Sequence, residues 1–259
     1  KHSFLILFHL PLKTLVLIFA LGITGSGLKL PIADALTAIG LGIITAVFSY
    51  AMLNAIEILG VSLAVLIFFL FPVFTSLIIA MMGWEKLSAI TVITALIAFA
   101  GLALTLGVNG ESLNIVGIIC ALIGAFGLAL VSSISSRVIR SGDSRKVTFY
   151  IVSSAAIIFI IFSLIRFDLH LPSTTSGWTG VIGTSVFYAC GIIGYFAAIS
   201  KIGPAKATLY SYVEPLFTML AAYIFLSELL LPLQIVGAII VVGALTVSGV
   251  ADLRKNKSS

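Results

Sequence analysis

Glu214 stands inside an apolar stretch, about seven residues from its start. If that stretch is a helix in lipid, the carboxyl lies roughly 10 Å from the helix end, at 1.5 Å per residue. An ionisable side chain at that depth costs about 2.5–3.5 kcal/mol to insert, so it is expected to face a bundle interior or a wet cavity. Tyr210, Ser211, Glu214 and Thr218 follow the spacing i, i+1, i+4, i+8 and form one polar stripe, which Ala207 continues as a small residue. Desolvation disfavours the charged form of a carboxyl. Such a group could take a proton on one side of a membrane and release it on the other, or pair with a cationic substrate. The plainer role is a structural Glu bonded to a neighbouring helix.

Other residues invite the same weighing. Pro72 and Pro215 each lack a backbone N–H and are expected to break or bend their helices, as hinges or as packing kinks. The carbonyls released there need other partners. Thr184, Tyr188, Gly191 and Tyr195 share one helical face, and Tyr50 and Asn54 share another with Glu57 at its edge. Hydroxyl, amide and aromatic groups lining a cavity suit a small polar or amphipathic solute, though a tyrosine also serves packing and interfaces. The nominated substrate-binding or coupling set is therefore Glu214, Tyr210, Ser211, Thr218, Tyr188, Thr184, Asn54 and Tyr50, with Pro72 and Pro215 as hinges. His9 and Lys13 are four apart; Lys13 either opposes Glu214 or snorkels to the surface. His170 is expected in solvent, and Glu85 and Glu228 at helix ends. Gly117, Gly124 and Gly127 allow close helix packing.

The elements that must position these residues are set by composition. Of 259 residues, 61% are hydrophobic and 9% charged, against about 25% charged in a soluble domain. The mean hydropathy of +1.28 leaves too little polar surface to coat a globule in water. The apolar residues come in blocks near the length that crosses about 30 Å of hydrocarbon. Nine spans are predicted, at 4–24, 36–56, 62–83, 89–108, 113–135, 147–166, 178–199, 207–227 and 232–251. The net charge of +5 sits between these blocks, which argues for cytoplasmic loops rather than nucleic acid as partner. Cys120 and Cys190 lie inside apolar blocks and read as small buried hydrophobes. There is no H-E-x-x-H, G-x-S-x-G or P-loop sequence and no metal-spaced cluster. No metal, cofactor or enzymatic activity is expected.

An internal repeat orders the spans. Pro72-Val-Phe-Thr75 and Pro215-Leu-Phe-Thr218 lie 143 residues apart, as do Ala55-Ile56 and Ala198-Ile199, Gly60 and Gly203, and Glu85 and Glu228. The polar stripe around Glu214 maps onto Ile67, Phe68, Phe71 and Thr75, which is nearly apolar, so the fold does not demand it. Shifted by that offset, the last four spans fall on the first four, while 113–135 maps before the chain begins. The expected architecture is all-α: a polytopic membrane helix bundle of two five-helix repeats, the first helix of repeat one missing. Residues 1–110 make the first repeat; 111–259 make the second, with a short basic tail. An odd helix count inverts the second repeat relative to the first. The charges agree. If the loop at 136–146 is cytoplasmic, alternation places eleven of the 14 Lys and Arg on that side, with Lys1 and Arg166 opposite.

The order and duplication of these motifs resemble the drug/metabolite transporter superfamily, specifically its EamA group. The resemblance rests on Ala55-Ile-Glu-Ile-Leu-Gly60, Phe71-Pro-Val-Phe-Thr75 and Gly83-Trp-Glu-Lys-Leu-Ser88. Their counterparts are Ala198-Ile-Ser-Lys-Ile-Gly203, Val213-Glu-Pro-Leu-Phe-Thr218 and Leu226-Ser-Glu-Leu-Leu230. It implies a Pro in the fourth and ninth helices with a Glu after each, here Pro72, Glu85, Pro215 and Glu228, and the Glu214-Pro215 pair. In the family the first helix, absent here, helps line the central cavity. The expected function is secondary transport, exporting small metabolites, amino acids or drug-like compounds, with proton or exchange coupling through Glu214. The alternative is a polytopic membrane enzyme or a non-transport scaffold or sensor. Expected partners are a small-molecule substrate and the lipid bilayer, with a proton and a second copy of the chain (a homodimer) as possible others. The expected location is the bacterial cytoplasmic membrane, with the C-terminus cytoplasmic.

Overall fold

The structure is a computed structural model that describes residues 29–84, 89–107, 113–140, 143–166, 174–227 and 229–257. The expected span 4–24 with His9 and Lys13, and residues Glu85, Glu228 and His170, lie outside the described residues. Among the described residues there are helices and turns and no strand. The helices are α1 (Ile32–Leu59), α2 (Val61–Phe68), α3 (Phe71–Met81), α4 (Ala89–Leu106) and α5 (Ile115–Arg140). They continue with α6 (Ser144–Arg166), α7 (Thr175–Ile202), α8 (Pro204–Tyr210), α9 (Glu214–Leu226) and α10 (Pro232–Lys257).

Seven segments among the described residues are long and apolar enough to cross a membrane. One of them, Val61–Met81, runs through both α2 and α3. The expected span at 207–227 is divided: α8, a 3-10 turn over Ser211–Val213, and α9 are each too short to cross alone. These seven segments are among the described residues only, and the expected span at 4–24 lies outside them, so the count of nine is not confirmed. The protein is a polytopic bundle of apolar helices.

Its side chains are sorted as lipid requires. Ile90, Ile93 and Ile97 are exposed along α4, and Val236, Ile239 and Val242 along α10, at the three- and four-residue spacing of a helix face. In water such faces would be a large liability; in hydrocarbon they are at home. The interior is built from small residues, among them Ala55, Ala64, Ala98, Ala121, Ala125, Ala129 and Ala155, all fully buried. Lipid supplies no hydrophobic drive between helices, so close backbone approach and dispersion hold them. Buried hydroxyls close on their own helix, as Thr75 does to the Phe71 carbonyl at 2.8 Å, Ser133 to Ala129 at 2.7 Å and Ser185 to Val181 at 2.6 Å.

The chain falls into two compact units. One takes Lys1–Tyr50 and Ile134–Gly203, the other Ala51–Ser133 and Pro204–Ser259. In the first, Ala46 of α1 packs with Val152, Ala155, Ala156 and Phe159 of α6. Gly42 faces Ser154 so closely that a Cβ would collide with it. In the second, α4 and α10 cross at Gly101 and Gly237, and a Cβ on Gly101 would lie 2.8 Å from the Gly237 carbonyl oxygen. Leu102, Leu209, Tyr212 and Val241 close the core around that pair. Gly117 meets Leu59 and Ile58, and Gly124 meets Phe68 and Met52, as close helix packing requires.

Candidate functional site

The site is built on two interrupted helices of the second unit. Each interrupted segment is entered through a glycine in a conformation that L side chains rarely adopt. Gly60, before α2, has φ 83° and ψ 164°; Gly203, before α8, has φ 81° and ψ 162°. With no Cβ, glycine alone reaches that region cheaply. Each glycine N–H also closes the preceding helix, Gly60 onto Ile56 at 3.0 Å and Gly203 onto Ile199 at 3.1 Å.

Further along, both segments tighten just ahead of their proline. After α2 the Leu70 N–H turns back to the Ile67 carbonyl at 3.1 Å, and the regular ladder resumes with Phe74 to Leu70. After α8 the turn over Ser211–Val213 takes its place. Pro215 cannot donate to the Ser211 carbonyl four residues back, and the Glu214 N–H donates there instead. Both prolines sit in the first turn of the second half, where a missing N–H costs little, and both are buried. The interruption is thus a change from α to 3-10 winding, not an unwound loop.

Tyr212, at the centre of the second interruption, is fully buried. Its hydroxyl donates to the Phe69 carbonyl at 2.9 Å, and its ring lies 5.7 Å from the Phe69 ring. A buried carbonyl left without a donor costs about 1–3 kcal/mol, and no backbone donor takes this one. Sequence reasoning did not single out Tyr212. The signal was there, because Tyr212 and Phe69 are partners in the 143-residue offset.

Glu214 opens α9 directly after this turn. Its side chain is exposed, with no hydrogen-bond or ion-pair partner among the described residues. Glu214 is the first residue of α9; its own N–H is taken by the Ser211 carbonyl, and the next residue, Pro215, has none. The nominated neighbours on the stripe flank it. The Ser211 hydroxyl is half-buried and donates to the Ala207 carbonyl at 3.3 Å; the exposed Thr218 hydroxyl donates to the Glu214 carbonyl at 3.2 Å. Tyr210 is partly exposed, its hydroxyl beside Gly249 of α10. Asn54 is half-buried in the same unit.

The other nominated residues belong to the first unit. Tyr50 is exposed and meets Phe162 edge to face at 5.6 Å. Tyr188 is exposed on α7, and the Thr184 hydroxyl one turn earlier donates to the Gly180 carbonyl at 2.7 Å. A groove of about 440 Å³ in the second unit lies elsewhere, between Ile90, Ile93, Ile97, Ile240 and Val247 of α4 and α10. It holds none of the nominated residues. Its one hydroxyl, Thr94, is turned onto the Ile90 carbonyl at 2.7 Å. No group of three or more His, Cys, Asp or Glu among the described residues could hold a metal ion.

Residues 115–250, from the start of α5 to near the end of α10, match the EamA-like transporter family. The chain belongs to that family. As an EamA-like protein with several apolar helices it is an integral membrane protein of a transporter family. Its fold is also that of a solved chain described only as the crystal structure of a protein. That likeness has a TM-score of 0.82 at 19% identity and covers 95% of this chain and 88% of the other. No curated protein matches.

Proposed function

We propose that this EamA-like chain is a secondary transporter that exports small metabolites, amino acids or drug-like compounds. Glu214 couples that movement to a proton or exchange gradient. The observation that carries the reading is the placement of Glu214. It is an exposed carboxyl at the start of a half-helix, directly after a 3-10 turn, with no partner among the described residues. A carboxyl held exposed at such a bend can take and release a proton or a cationic solute at little reorganisation cost. Tyr210, Ser211 and Thr218 lie on adjacent turns as further solute contacts. Asn54, Tyr50, Thr184 and Tyr188 complete the nominated set, and the turns before Pro72 and Pro215 act as hinges.

Two repeats, 1–110 and 111–259, form the frame. The near-identical backbone at Gly60 and Gly203, and the interruptions at matching places after them, support the duplication. The family match begins four residues past the repeat boundary. The charge asymmetry between loops supports inversion of one repeat, with the C-terminus cytoplasmic in a bacterial inner membrane.

The test is flux in proteoliposomes carrying an imposed pH gradient, against a panel of amino acids, small metabolites and cationic drug-like compounds. Wild type is expected to move at least one class and to dissipate the gradient as it does so. Glu214→Gln should insert normally and lose at least about tenfold of the gradient-driven flux, the size expected when a charged contact worth about 1.4 kcal/mol or more is removed. Unaltered flux with unaltered pH dependence would remove the coupling role. A wild-type protein silent across the whole panel counts against transport itself.

A further inference from the structure

The Tyr212 hydroxyl does more than satisfy one carbonyl. Its acceptor, Phe69, occupies the corresponding place in the other interrupted segment, and both residues are buried in one core cluster. Phe69 carries no hydroxyl, so a single bond in one direction joins the two turns. On either side the segments are stiff. Pro72 and Pro215 lock the first turn of α3 and α9, and the Phe69, Phe71 and Tyr212 rings pack together, with Phe69 and Phe71 5.7 Å apart. The soft torsions are therefore confined to residues 69–70 and 211–213, and these are the residues the bond connects.

We infer that the bond from the Tyr212 hydroxyl to the Phe69 carbonyl is a latch that makes the two helix interruptions open and close as one unit. If α3 tilts about Leu70, the Phe69 carbonyl moves with the turn and carries Tyr212, and with it the start of α9. Tyr212 is a positioning residue in this device, since it reaches Glu214 only through the turn they share. The latch is a property of the fold and holds whether or not Glu214 couples transport.

Amide hydrogen exchange on the full chain in lipid nanodiscs tests it without any substrate. Tyr212→Phe deletes one oxygen and keeps the ring stack. Losing a bond of the usual net strength is expected to speed exchange about fivefold in peptides covering 69–74, although the substitution lies in the other segment, and to a similar extent in 211–218. Peptides from α6 should not change. Acceleration confined to 211–218, or none in either place, overturns the latch. Pro72→Ala approaches from the other side: its restored N–H can pair with the Phe68 carbonyl four residues back, which lets the regular ladder continue so that the Val73 N–H reaches the Phe69 carbonyl and competes with the Tyr212 hydroxyl. Exchange at 211–218 is then expected to rise while those residues are unaltered. If it stays at the wild-type rate, the two turns are independent.

Discussion

Asp143, ahead of α6, is a charged residue placed to stabilise rather than to transport. Its carboxylate accepts the Arg145 N–H at 3.0 Å and holds the Arg145 guanidinium through Nη2 at 2.7 Å. The bond to the Arg145 side chain is the main cause that keeps the Asp143 carboxyl below the ordinary carboxylate range, with lesser help from the backbone bond and the Arg145 and Lys146 charges, against some desolvation. A lowered folded value means stability present above the unfolded carboxylate pKa, about 3.9, and lost as pH falls through the folded one. Asp143→Asn keeps a good helix cap and removes only the charge. It should lower stability at neutral pH by under about 1 kcal/mol, the range of exposed pairs. Thermal unfolding in detergent should show that deficit shrinking to nothing in acid; a deficit unchanged there would remove the ion-pair account. Glu214 is the opposite case at the same scale, a carboxyl left open. It was legible as a candidate because an ionisable residue in an apolar block is conspicuous. Tyr212 was not, since a tyrosine there looks the same whether its hydroxyl meets lipid headgroups or a carbonyl from a distant segment.

Helix ends and interruptions carry the next layer. Gly60 and Gly203 hold φ near +80°, where a Cβ is strained by about 1–3 kcal/mol. Gly60→Ala and Gly203→Ala should each lower the melting temperature of the detergent-solubilised protein. Gly183 and Gly194 of α7 are the contrast, because a Cβ there meets nothing within 4 Å. Their alanine variants should be neutral or gain up to about 1 kcal/mol from helix propensity. Equal losses at all four positions would show that the positive φ is not what the turns require. The prolines announced the interruptions in the sequence, but not their form. A proline can kink a helix, unwind it or sit at the start of a new turn. The outcome here, a 3-10 turn with the proline in the next first turn, depends on Glu214 N–H finding the Ser211 carbonyl and on Tyr212 finding Phe69.

For the molecule as a whole, lipid is the solvent that makes sense of the side chains. Many large apolar residues point outward, while alanines, serines and threonines share the interior with Leu102, Ile151, Phe196 and Tyr212. With both ends of α6 and α7 described, the proposed orientation can be checked by single-cysteine labelling from each side of sealed vesicles. Cysteines at Ser144 and Lys206 should label from the cytoplasmic side and one at Thr174 from the other. Labelling of Ser144 and Thr174 from one side would refute the topology and the inverted arrangement with it.

Composition and spacing by themselves determined that this chain lives in a membrane as helices. Blocks of about twenty apolar residues have no other stable form where the backbone must satisfy itself. The same letters showed a duplicated segment, a carboxyl beside a proline and a family resemblance that the match over 115–250 bears out. Only the tertiary structure decided which small residues meet, as Gly101 meets Gly237, and which polar atom answers a carbonyl released by a broken helix. Those are contacts between segments far apart in the chain. Helical periodicity sets the face a residue occupies, and packing alone chooses what that face touches.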